Sequence, residues 1–389
     1  MTLIILTGLS ALSMTLFLPS LPQIAVYYDA PYGLIQIAVA GYMATSAVLQ
    51  LFIGPLADKY GRRPVLLIGI AVFCLASLGC LLATNLFTFL FFRMVQATVA
   101  VGLTLGRAVV RDMFPPDDAA AKLGYVTMGM AIVPMLAPAL GGLIDETVGW
   151  HGSFWLLFAM GALALALTWA DLGETAGKSD HTIFRQFAEY PELLTSPRFW
   201  GYCMAAALSA GSFYAYLGGG PYVANQVFGM SPVTFGLWTA IPGIGYFLGN
   251  FSTGLFAARL GINRMVFLGT FVTTVGLGGA LIMAHLGHGS PVTFFSGMFF
   301  VGLGNGLTMP SSTSGMLSVR PHLAGTASGL GATMMVGIGA GLSALAGFVL
   351  GPGRGEAPLL WLMFLSATGG ILAIWLVIRR ERRLGLTPR

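Results

Sequence analysis

The sequence alternates between long apolar stretches without a charged residue and short segments that carry almost all of the charge. The charge-free intervals are residues 1–28, 30–57, 64–92, 123–144, 147–170, 199–258, 265–319, 323–353 and 357–378. About 20 apolar residues in a helix span the hydrocarbon core of a bilayer. Each interval is therefore long enough for one spanning helix, and the longest ones are long enough for two.

Turn residues divide the longest intervals at Thr84-Asn85, at Ser231-Pro232 and within 287–291. Helices are favoured over a β-barrel because the stretches are uniformly apolar and do not alternate with a period of two. The predicted fold class is an all-α integral membrane protein with twelve transmembrane helices. We predict them near residues 3–25, 33–53, 64–83, 86–108, 123–144, 153–171, 199–220, 232–256, 265–286, 291–312, 323–350 and 358–378.

Composition supports a membrane environment. Hydrophobic residues make up 56% of the chain and charged residues only 8%, whereas a soluble domain carries about 25% charged residues. Cys74, Cys80 and Cys203 all fall in predicted spans, which favours a packing role over a disulfide framework. We find no sequence pattern for a metal site or a cofactor.

The distribution of basic residues predicts the orientation of the chain. Lys and Arg cluster in the even-numbered loops and in the tail 379–389, and cytoplasmic loops are the ones enriched in these residues. We therefore expect a multi-pass protein of a bacterial cytoplasmic (inner) membrane, with both termini in the cytoplasm. The sequence pI of about 9.2 then follows from topology, and no nucleic-acid partner is required.

The longest polar stretch divides the predicted helices into two groups of six. Residues 171–198 contain eight charged residues. We predict an N-terminal six-helix bundle at 1–172, a cytoplasmic linker at 173–198 and a C-terminal six-helix bundle at 199–389. The halves also repeat each other with an offset of 200 residues, since the set Gly54, Ala57, Lys59, Gly61 recurs as Gly254, Ala257, Arg259, Gly261. Such repeats place a binding site between the bundles near the midplane.

The segment 54–67, with the sequence GPLADKYGRRPVLL, joins the second and third predicted helices. Gly54 and Gly61 are predicted to permit a tight turn there. Asp58 stands among Lys59, Arg62 and Arg63, so a local salt-bridge network is expected. A role in enforcing topology alone is the alternative.

Five residues of the fourth predicted helix, four of them polar, are spaced 3, 4, 4 and 3, which places them on one face that we expect to line a cavity: Arg93, Gln96, Ala100, Thr104 and Arg107. Arg93 is the eighth residue of its span and lies roughly 10 Å deep. A charge at such depth costs about 2.5–3.5 kcal/mol and usually faces a bundle interior or a water-filled path. The alternative is a structural arginine bonded to neighbouring carbonyl groups.

Weaker polar stripes follow helical spacing on two further helices. They consist of Tyr202, Ser209, Ser212 and Tyr216 on the seventh helix and of Asn305, Thr308 and Ser312 on the tenth. Hydrogen bonds between helices explain such residues as well as contacts with a cargo do. Both interpretations stay open at this point.

The fifth predicted helix contains two prolines four residues apart, Pro134 and Pro138, each of which removes a backbone donor and bends the axis. Ala137, Gly141 and Gly142 are small enough for another helix to approach closely. Packing alone accounts for the glycines equally well.

Several of these segments resemble a known family. Residues 54–67 resemble the loop motif of the major facilitator superfamily, and Arg93-Met-Val-Gln96 is a second match. The string 137–142, APALGG, resembles the signature of its drug:proton antiporters. Residues 107–112 and 324–328 are similar to the bicyclomycin- and chloramphenicol-resistance branch of twelve-span exporters. The resemblance covers nearly the whole chain.

The resemblance implies a secondary active transporter, monomeric by its family's default, that exports small drug-like molecules across the lipid bilayer by alternating access in exchange for protons. It implies a conformational gate at Gly54, Asp58, Gly61, Arg62, Arg63, Arg107, Arg111 and Asp112. It implies a substrate and proton cavity that includes Thr15, Phe17, Arg93, Gln96, Thr104, Ser209, Ser212, Tyr216, Asn305 and Thr308. The fifth helix, with Pro134, Pro138, Gly141 and Gly142, is expected to seal the halves against leakage.

One departure from the branch concerns the proton carrier. The usual acidic residue of the first helix precedes an aromatic residue and Leu-Pro, and here Thr15 occupies that position before Leu16-Phe17-Leu18-Pro19. No carboxylate lies deep in a predicted span, because Asp145 and Glu146 mark an outer end and Asp58 and Asp112 mark inner ends. The proton carrier is therefore unidentified, and a cavity with Arg93 and no deep anion favours neutral or anionic cargo over cations.

Two other classes of function stay open. An importer or metabolite facilitator can share the same fold, because fold kinship alone does not set the direction of transport. An integral membrane enzyme or receptor is the weakest alternative, because no paired carboxylates, nucleotide loop or nucleophile motif is present and the loops are short.

Overall fold

The computed structural model describes residues 2–113, 133–175, 191–320 and 323–385. These residues form helices and turns, and they contain no strand. We number the long helices α1 Thr2–Tyr27, α2 Tyr32–Tyr60, α3 Arg62–Leu82, α4 Leu86–Val95 continued by Ala100–Met113, α5 133–148, α6 His151–Asp171, α7 Pro197–Tyr222, α8 Pro232–Trp238 continued by Ala240–Leu260, α9 Ile262–His285, α10 Pro291–Val319, α11 Ala324–Val349 and α12 Ala357–Arg383.

The predicted fold class is confirmed. Within the described residues, nine helices are long and apolar enough to cross a membrane. The other three are α5, of which only residues 133–148 are described, and α7 and α8. Helix lengths depart from the prediction where α2 continues to Tyr60 and α10 to Val319. Hydropathy marks the edge of the membrane, whereas the backbone hydrogen bonds of a helix continue into the polar region beyond it.

Three helices contain irregular turns that the apolar pattern does not reveal. In α1, residues Leu18–Ser20 form a 3₁₀ turn around Pro19, which has no N–H to donate. In α4, residues Gln96–Val99 form a 3₁₀ turn. α7 passes into a π-helical turn at Val223–Val227. Such turns often lie at functional positions.

The predicted division of the long apolar intervals is confirmed by helix caps. The Asn85 side chain accepts a hydrogen bond of 2.9 Å from the Thr88 backbone N–H at the start of α4. At the start of α10, Ser290 and Thr293 form a reciprocal capping box. These caps satisfy backbone donors that the first turn of a helix leaves unpaired.

The sequence repeat corresponds to a repeated backbone geometry. Gly61 follows α2 with φ 97° and ψ 152°, and Gly261 follows α8 with φ 80° and ψ 159°. Both positive φ values favour glycine, and each lets the next helix begin one residue later. The prediction that Gly54 also serves the turn is wrong. Gly54 lies inside α2, where a helical backbone has no need of glycine.

The chain forms two compact units. Unit 1 comprises residues 1–185 together with 229–237, and unit 2 comprises 186–228 together with 238–389. The predicted linker 173–198 lies partly outside the described residues, because 176–190 are not among them. Residues 232–237, at the start of α8, therefore pack with unit 1.

Unit 2 has a core in which α7, α9, α10, α11 and α12 meet, and Phe199, Val266 and Ile374 are fully buried there. Its α8 and α10 lie backbone against backbone. A Cβ atom on Gly245 or Gly306 would overlap the opposite main chain. Small residues permit this close packing, which is the usual way in which membrane helices associate.

Candidate functional site

Arg93 lies at the centre of the polar interior of unit 1, with a side chain that is 0% exposed. Its Nε donates to the carbonyl of Ala38 in α2 at 3.2 Å. Nη2 donates to the carbonyl of Ser13 in α1 at 2.7 Å. Nη1 donates to Gln96 Oε1 at 2.7 Å and to the Ser13 hydroxyl at 3.3 Å. One guanidinium therefore joins α1, α2 and α4.

Two aromatic rings complete this environment. The guanidinium carbon lies 4.2 Å from the ring centroid of Phe17 and 4.1 Å from that of Tyr42. A desolvated cation over an aromatic face gains about 2 kcal/mol. Among the described residues, no carboxylate forms an ion pair with Arg93. Carbonyl dipoles, one side-chain amide and two aromatic rings stabilise this positive charge. This environment matches the alternative stated for Arg93, a structural arginine bonded to neighbouring carbonyl groups.

Gln96 extends the network to a fourth helix. Its Nε2 donates to the Ser77 hydroxyl of α3 at 2.8 Å, and that hydroxyl donates to the Phe73 carbonyl at 2.8 Å. Gln96 is 0% exposed. A buried polar chain of this kind is stable only when every member is satisfied, so the position of Gln96 depends on that of Arg93.

The expected single polar face of α4 is divided by the 3₁₀ turn at Gln96–Val99. A 3₁₀ helix turns about 120° per residue and an α-helix about 100°, so four residues shift the face by roughly 80°. Arg93 and Gln96 are enclosed within unit 1, while Thr104 is half-buried and its hydroxyl has no partner among the described residues. The structure does not bring Thr104 to Arg93.

The first-helix candidates also separate. The ring of Phe17 lies against the Arg93 guanidinium. Thr15 is buried and its hydroxyl donates to the Ala11 carbonyl of its own helix at 3.0 Å. Its neighbour Ser13, which the motif did not single out, supplies both oxygens that accept from Arg93 in α1.

The polar stripes of unit 2 lie between helices. Ser209 of α7 donates to Asn305 Oδ1 of α10 at 2.8 Å, and Ser212 donates to the Met363 carbonyl of α12 at 3.1 Å. Tyr216 is 1% exposed and lies against Phe294 and Phe295. Thr308 is fully buried, and its hydroxyl lacks a hydrogen-bond partner in the described part of the chain. Hydrogen bonds between helices therefore account for Ser209, Ser212 and Asn305.

The ion pair expected in segment 54–67 is present and includes a third helix. Arg62 Nη1 lies 3.1 Å from Asp58 Oδ1, and its Nε lies 2.6 Å from Asp112 Oδ2. One guanidinium therefore joins the end of α2, the start of α3 and the end of α4. Arg63 is half-buried and donates to the Trp169 carbonyl at 2.8 Å. The predicted roles of Arg107 and Arg111 concern side chains outside the described residues.

Two acidic residues at these ends were not found from the sequence. Glu174 accepts from the backbone N–H groups of Arg62 at 2.8 Å and Arg63 at 3.3 Å, so a carboxylate caps α3. In unit 2, Glu381 is 5% exposed and accepts from Arg198 at 2.6 and 2.9 Å. Tyr202 also donates to Glu381, at 3.1 Å. The sequence did not indicate a special role for Glu381, because it lies among four arginines in the run 379–383. That run was interpreted only as a basic segment that sets the orientation of the chain.

The small residues of α5 make the close contacts that the sequence predicts. A Cβ atom on Gly141 would overlap the Leu16 carbonyl of α1, and one on Gly142 would overlap the Pro232 carbonyl at the start of α8. Gly236 lies equally close to the Pro138 carbonyl. Pro134 and Pro138 both lie within the helix 133–148. Within unit 1, α5 thus packs main chain against main chain on two sides.

The sequence places Asp145 at the end of a predicted helix, where a carboxylate is normally solvated. In the structure it is buried. It is 4% exposed, and neither carboxyl oxygen has a hydrogen-bond partner among the described residues. Asp145 lies one residue beyond the predicted span 123–144. Burial raises the pKa of this carboxyl to about 6; the Ser20 hydroxyl opposes the rise, and the charge of Glu146 adds to it.

A family model supports the same interpretation of the chain. Residues 3–344 match the model described as the Major Facilitator Superfamily. The chain belongs to this superfamily. The resemblance found in the loop, fourth-helix and fifth-helix motifs is therefore confirmed, and the protein is a multi-pass membrane transporter of the superfamily.

Three relatives align with nearly the whole of this chain. It is 29% identical to an uncharacterized MFS-type transporter, YdgK, of Bacillus subtilis, over 94% of this chain and 92% of the relative. It is 26% identical to a bicyclomycin resistance protein homolog of Haemophilus influenzae, over 98% and 96%. It is also 26% identical to multidrug resistance protein D of Escherichia coli, over 92% and 90%.

A solved structure shows the same fold. The crystal structure of a bacterial homolog to the human lysosomal transporter Spinster matches with a TM-score of 0.77 at 17% identity, over 98% of this chain and 96% of that one. At this identity the match concerns the fold alone. It agrees with the all-helical superfamily architecture.

Proposed function

We propose that this protein exports small neutral or amphipathic drug-like molecules across a bacterial cytoplasmic membrane, by alternating access and in exchange for protons. In this proposal it works as a monomer with both termini in the cytoplasm. The observation that carries the proposal is α5, where the antiporter-like string 137–142 places Gly141 and Gly142 against the main chains of α1 and α8. A helix in such contact forms a seal without side chains, as an exporter that must not leak protons requires.

The relatives support drug export. Their names refer to bicyclomycin resistance and to multidrug resistance, and they match this chain almost from end to end. The proposal extends that activity to this chain. A narrow-specificity metabolite exporter or importer of the same fold is the alternative that the experiment below tests.

The charges of unit 1 support a neutral cargo. The Arg93 guanidinium is positive, and no carboxylate among the described residues pairs with it. A buried cation without a nearby anion disfavours a cationic cargo by like-charge repulsion. We propose that Arg93 and Gln96 hold in place the helices of unit 1 that border the path of the cargo, and that Thr104, which is half-buried, lies on that path.

The Arg62 cluster is proposed as the conformational gate, together with Arg107 and Arg111. Arg62 holds Asp58 and Asp112 at the ends of three helices. The Asp58 and Asp112 side chains are 36% and 21% exposed, whereas the Arg62 side chain is only 10% exposed. In this proposal the two ion pairs break and re-form during transport.

Asp145 is proposed as a group that exchanges the coupled proton. Its carboxyl group is buried beside the Ser20 hydroxyl, and its pKa near 6 lies within reach of the pH outside a bacterium. It lies three residues beyond Gly142 in α5, and Gly142 contacts the Pro232 carbonyl. Loss of its proton places a charge in this packed region and weakens the packing there.

Replacing Asp145 by asparagine tests the protonation. The pKa of this carboxyl is raised above the usual value of about 4. The folded protein therefore holds the proton more tightly than the unfolded one, and stability is lost as the pH rises from about 4 through 6. Because Asn is always neutral, we expect Asp145→Asn to raise the apparent melting temperature at pH 7.5 but not at pH 4.5.

The matched control is Asp29→Asn, the same substitution at an exposed carboxyl. It removes a charge that is not buried, so we expect no gain in apparent melting temperature that is confined to pH 7.5. Parallel pH profiles for the wild type and Asp145→Asn would remove Asp145 as the proton site. Such a result would not contradict the proposal that the protein exports drugs, because it concerns only the proton site.

Accumulation of radiolabelled chloramphenicol and of a cationic dye tests the transport activity. The host is a bacterium without its own pumps, measured with and without a protonophore. We expect lower chloramphenicol accumulation than in empty cells, with the difference abolished by the protonophore, and little effect on the dye. No change for either compound, in cells shown to hold the protein in the membrane, would favour the metabolite transporter.

A further inference from the structure

The last turns of α12 border two cavities of about 760 Å³ each. The first cavity lies between α12 and α9 and is called here the arginine pocket. Its wall includes Arg264, Phe267, Trp375, Arg379, Arg382 and Arg383. The second lies between α12 and the start of α7 and shares Arg379 and Arg383.

We propose that the arginine pocket binds the headgroup of an anionic phospholipid, with the acyl chains along the apolar surface of α9 and α12. The site lies in unit 2 and serves neither the proposed cargo nor the proposed proton path. It would hold the protein to the anionic leaflet on the cytoplasmic side, where basic pockets between helices bind such headgroups. The inference is independent of drug export.

Charge is the first support for the proposal. Four guanidinium groups line the pocket and no carboxylate does. None of these arginines forms an ion pair within the described residues. Arginine presents a planar fork of donors that matches the oxygens of a phosphate. A phosphodiester would therefore meet several unneutralised donors at once.

The one acidic residue in this run does not neutralise the pocket. Glu381 is 5% exposed and belongs to the interior of unit 2. Its Oε1 atom accepts from Arg198 and from Tyr202, and its Oε2 atom accepts from Asn263. The sequence RRERR at 379–383 thus sends its acid to the core and leaves its arginines for the surface.

The apolar part of the wall selects a lipid over a soluble anion. Leu268, Trp375 and Ile378 adjoin the arginines, and Trp375 and Leu268 are 48% and 39% exposed. The Arg379 guanidinium lies over the Trp375 ring at 5.3 Å. Tryptophan favours the level of the headgroups. The arginines match the phosphate headgroup of a phospholipid, and the adjoining apolar residues match its acyl chains.

Helical spacing explains why these residues meet. Trp375, Arg379 and Arg382 are four and three positions apart on α12, and Arg264 and Phe267 are three apart on α9. Residues at these spacings share one face of a helix. General enrichment of cytoplasmic loops in basic residues does not require them to line one cavity with an aromatic ring.

The test uses the full-length protein in detergent micelles, titrated with phosphatidylglycerol or with phosphatidylcholine and observed by native mass spectrometry. The double variant Arg264→Gln/Arg382→Gln removes two charges from the arginine pocket alone. We expect it to bind phosphatidylglycerol about 10-fold more weakly than the wild type. Phosphatidylcholine is expected to bind weakly to both proteins.

The matched control is Arg259→Gln/Arg354→Gln, which removes the same net charge from residues outside both cavities. We expect it to retain phosphatidylglycerol within about 2-fold of the wild type. A third arm adds inorganic phosphate as a competitor, and little displacement of the lipid is expected.

Three outcomes would overturn the proposal. The first is equal phosphatidylglycerol binding by the wild type and the pocket variant. The second is equal retention of both lipids by the wild type, which means a non-specific lipid shell. The third is complete displacement by inorganic phosphate, which means a soluble-anion site. Elution of both variants as a single species with wild-type retention shows that they are folded.

Discussion

Replacing Arg93 by methionine is expected to lower transport by at least about 10-fold while leaving the protein in the membrane. Methionine has a similar length, so the space is largely filled, but the four hydrogen bonds of the guanidinium are lost. Each buried acceptor left without a partner costs about 1–3 kcal/mol. Gln96 loses its main restraint, and α1, α2 and α4 lose the group that joins them.

Lysine at the same position separates charge from geometry. Arg93→Lys keeps the positive charge, yet an ammonium cannot lie flat between Phe17 and Tyr42 while it donates to three helices. We therefore expect activity between those of the wild type and the methionine variant. The measurement is the initial rate of protonophore-sensitive export, normalised to the amount of protein in the membrane.

Arg259→Met serves as the control, because Arg259 is exposed at the end of α8. It removes an equal charge by the same substitution and is expected to export at the wild-type rate. If Arg93→Met also exported at that rate, the network around Arg93 would have no part in transport. A loss shared by both variants would instead indicate an effect of net charge.

Gly141→Ala is expected to have the second large effect. The added methyl group would overlap the carbonyl oxygen of Leu16, which belongs to a main chain and has no flexible end that can move aside. Overpacking in a dense interior typically costs about 1–3 kcal/mol, and α5 must move away from α1 to relieve it. We expect a lower apparent melting temperature and a proton leak through the membrane.

The same substitution at Gly54 provides the control. Among the described residues, no heavy atom outside the adjacent backbone of α2 lies within 4 Å of a Cβ atom built on Gly54, which lies inside this helix. Alanine forms helix more readily than glycine by about 1 kcal/mol. Gly54→Ala is therefore expected to preserve or raise the melting temperature, measured by the thermal unfolding of purified protein.

The proton leak is measured in liposomes that contain the purified protein, by the decay of an imposed pH gradient. Faster decay with Gly141→Ala than with the wild type would show that the α1–α5 contact seals the protein. Equal melting temperatures and equal decay for Gly141→Ala and Gly54→Ala would contradict both the contact and its proposed role.

Several features of the fold follow from local sequence signals. Apolar stretches of about 20 residues predict helices wherever they occur, because the bilayer leaves no partner for an unpaired backbone group. Gly61 and Gly261 announce the repeated turn, because their positive φ values favour glycine. The string 137–142 predicts close helix packing, and the structure confirms this for Gly141 and Gly142.

Other features could not be found in this way. Helical periodicity assumes a regular α-helix, and the 3₁₀ turn at Gln96–Val99 changes which residues of α4 share a face. Composition assigned Glu381 and its neighbours to a solvated basic tail, although Glu381 is buried. Asp145 was placed at a helix end, where solvent is normally available, and its burial beside Ser20 depends on how α1 and α5 pack against each other.

By itself, the sequence determined that this is a helical membrane protein, where its helices lie and to which superfamily it belongs, because hydrophobicity and glycine geometry act within a few residues. Only the tertiary structure decided which polar groups meet. Arg93 and Ser13 are 80 positions apart and Arg198 and Glu381 are 183 apart. Pairs this distant are selected by the packing of whole helices, since a buried charge is stable only where that packing brings its partners together.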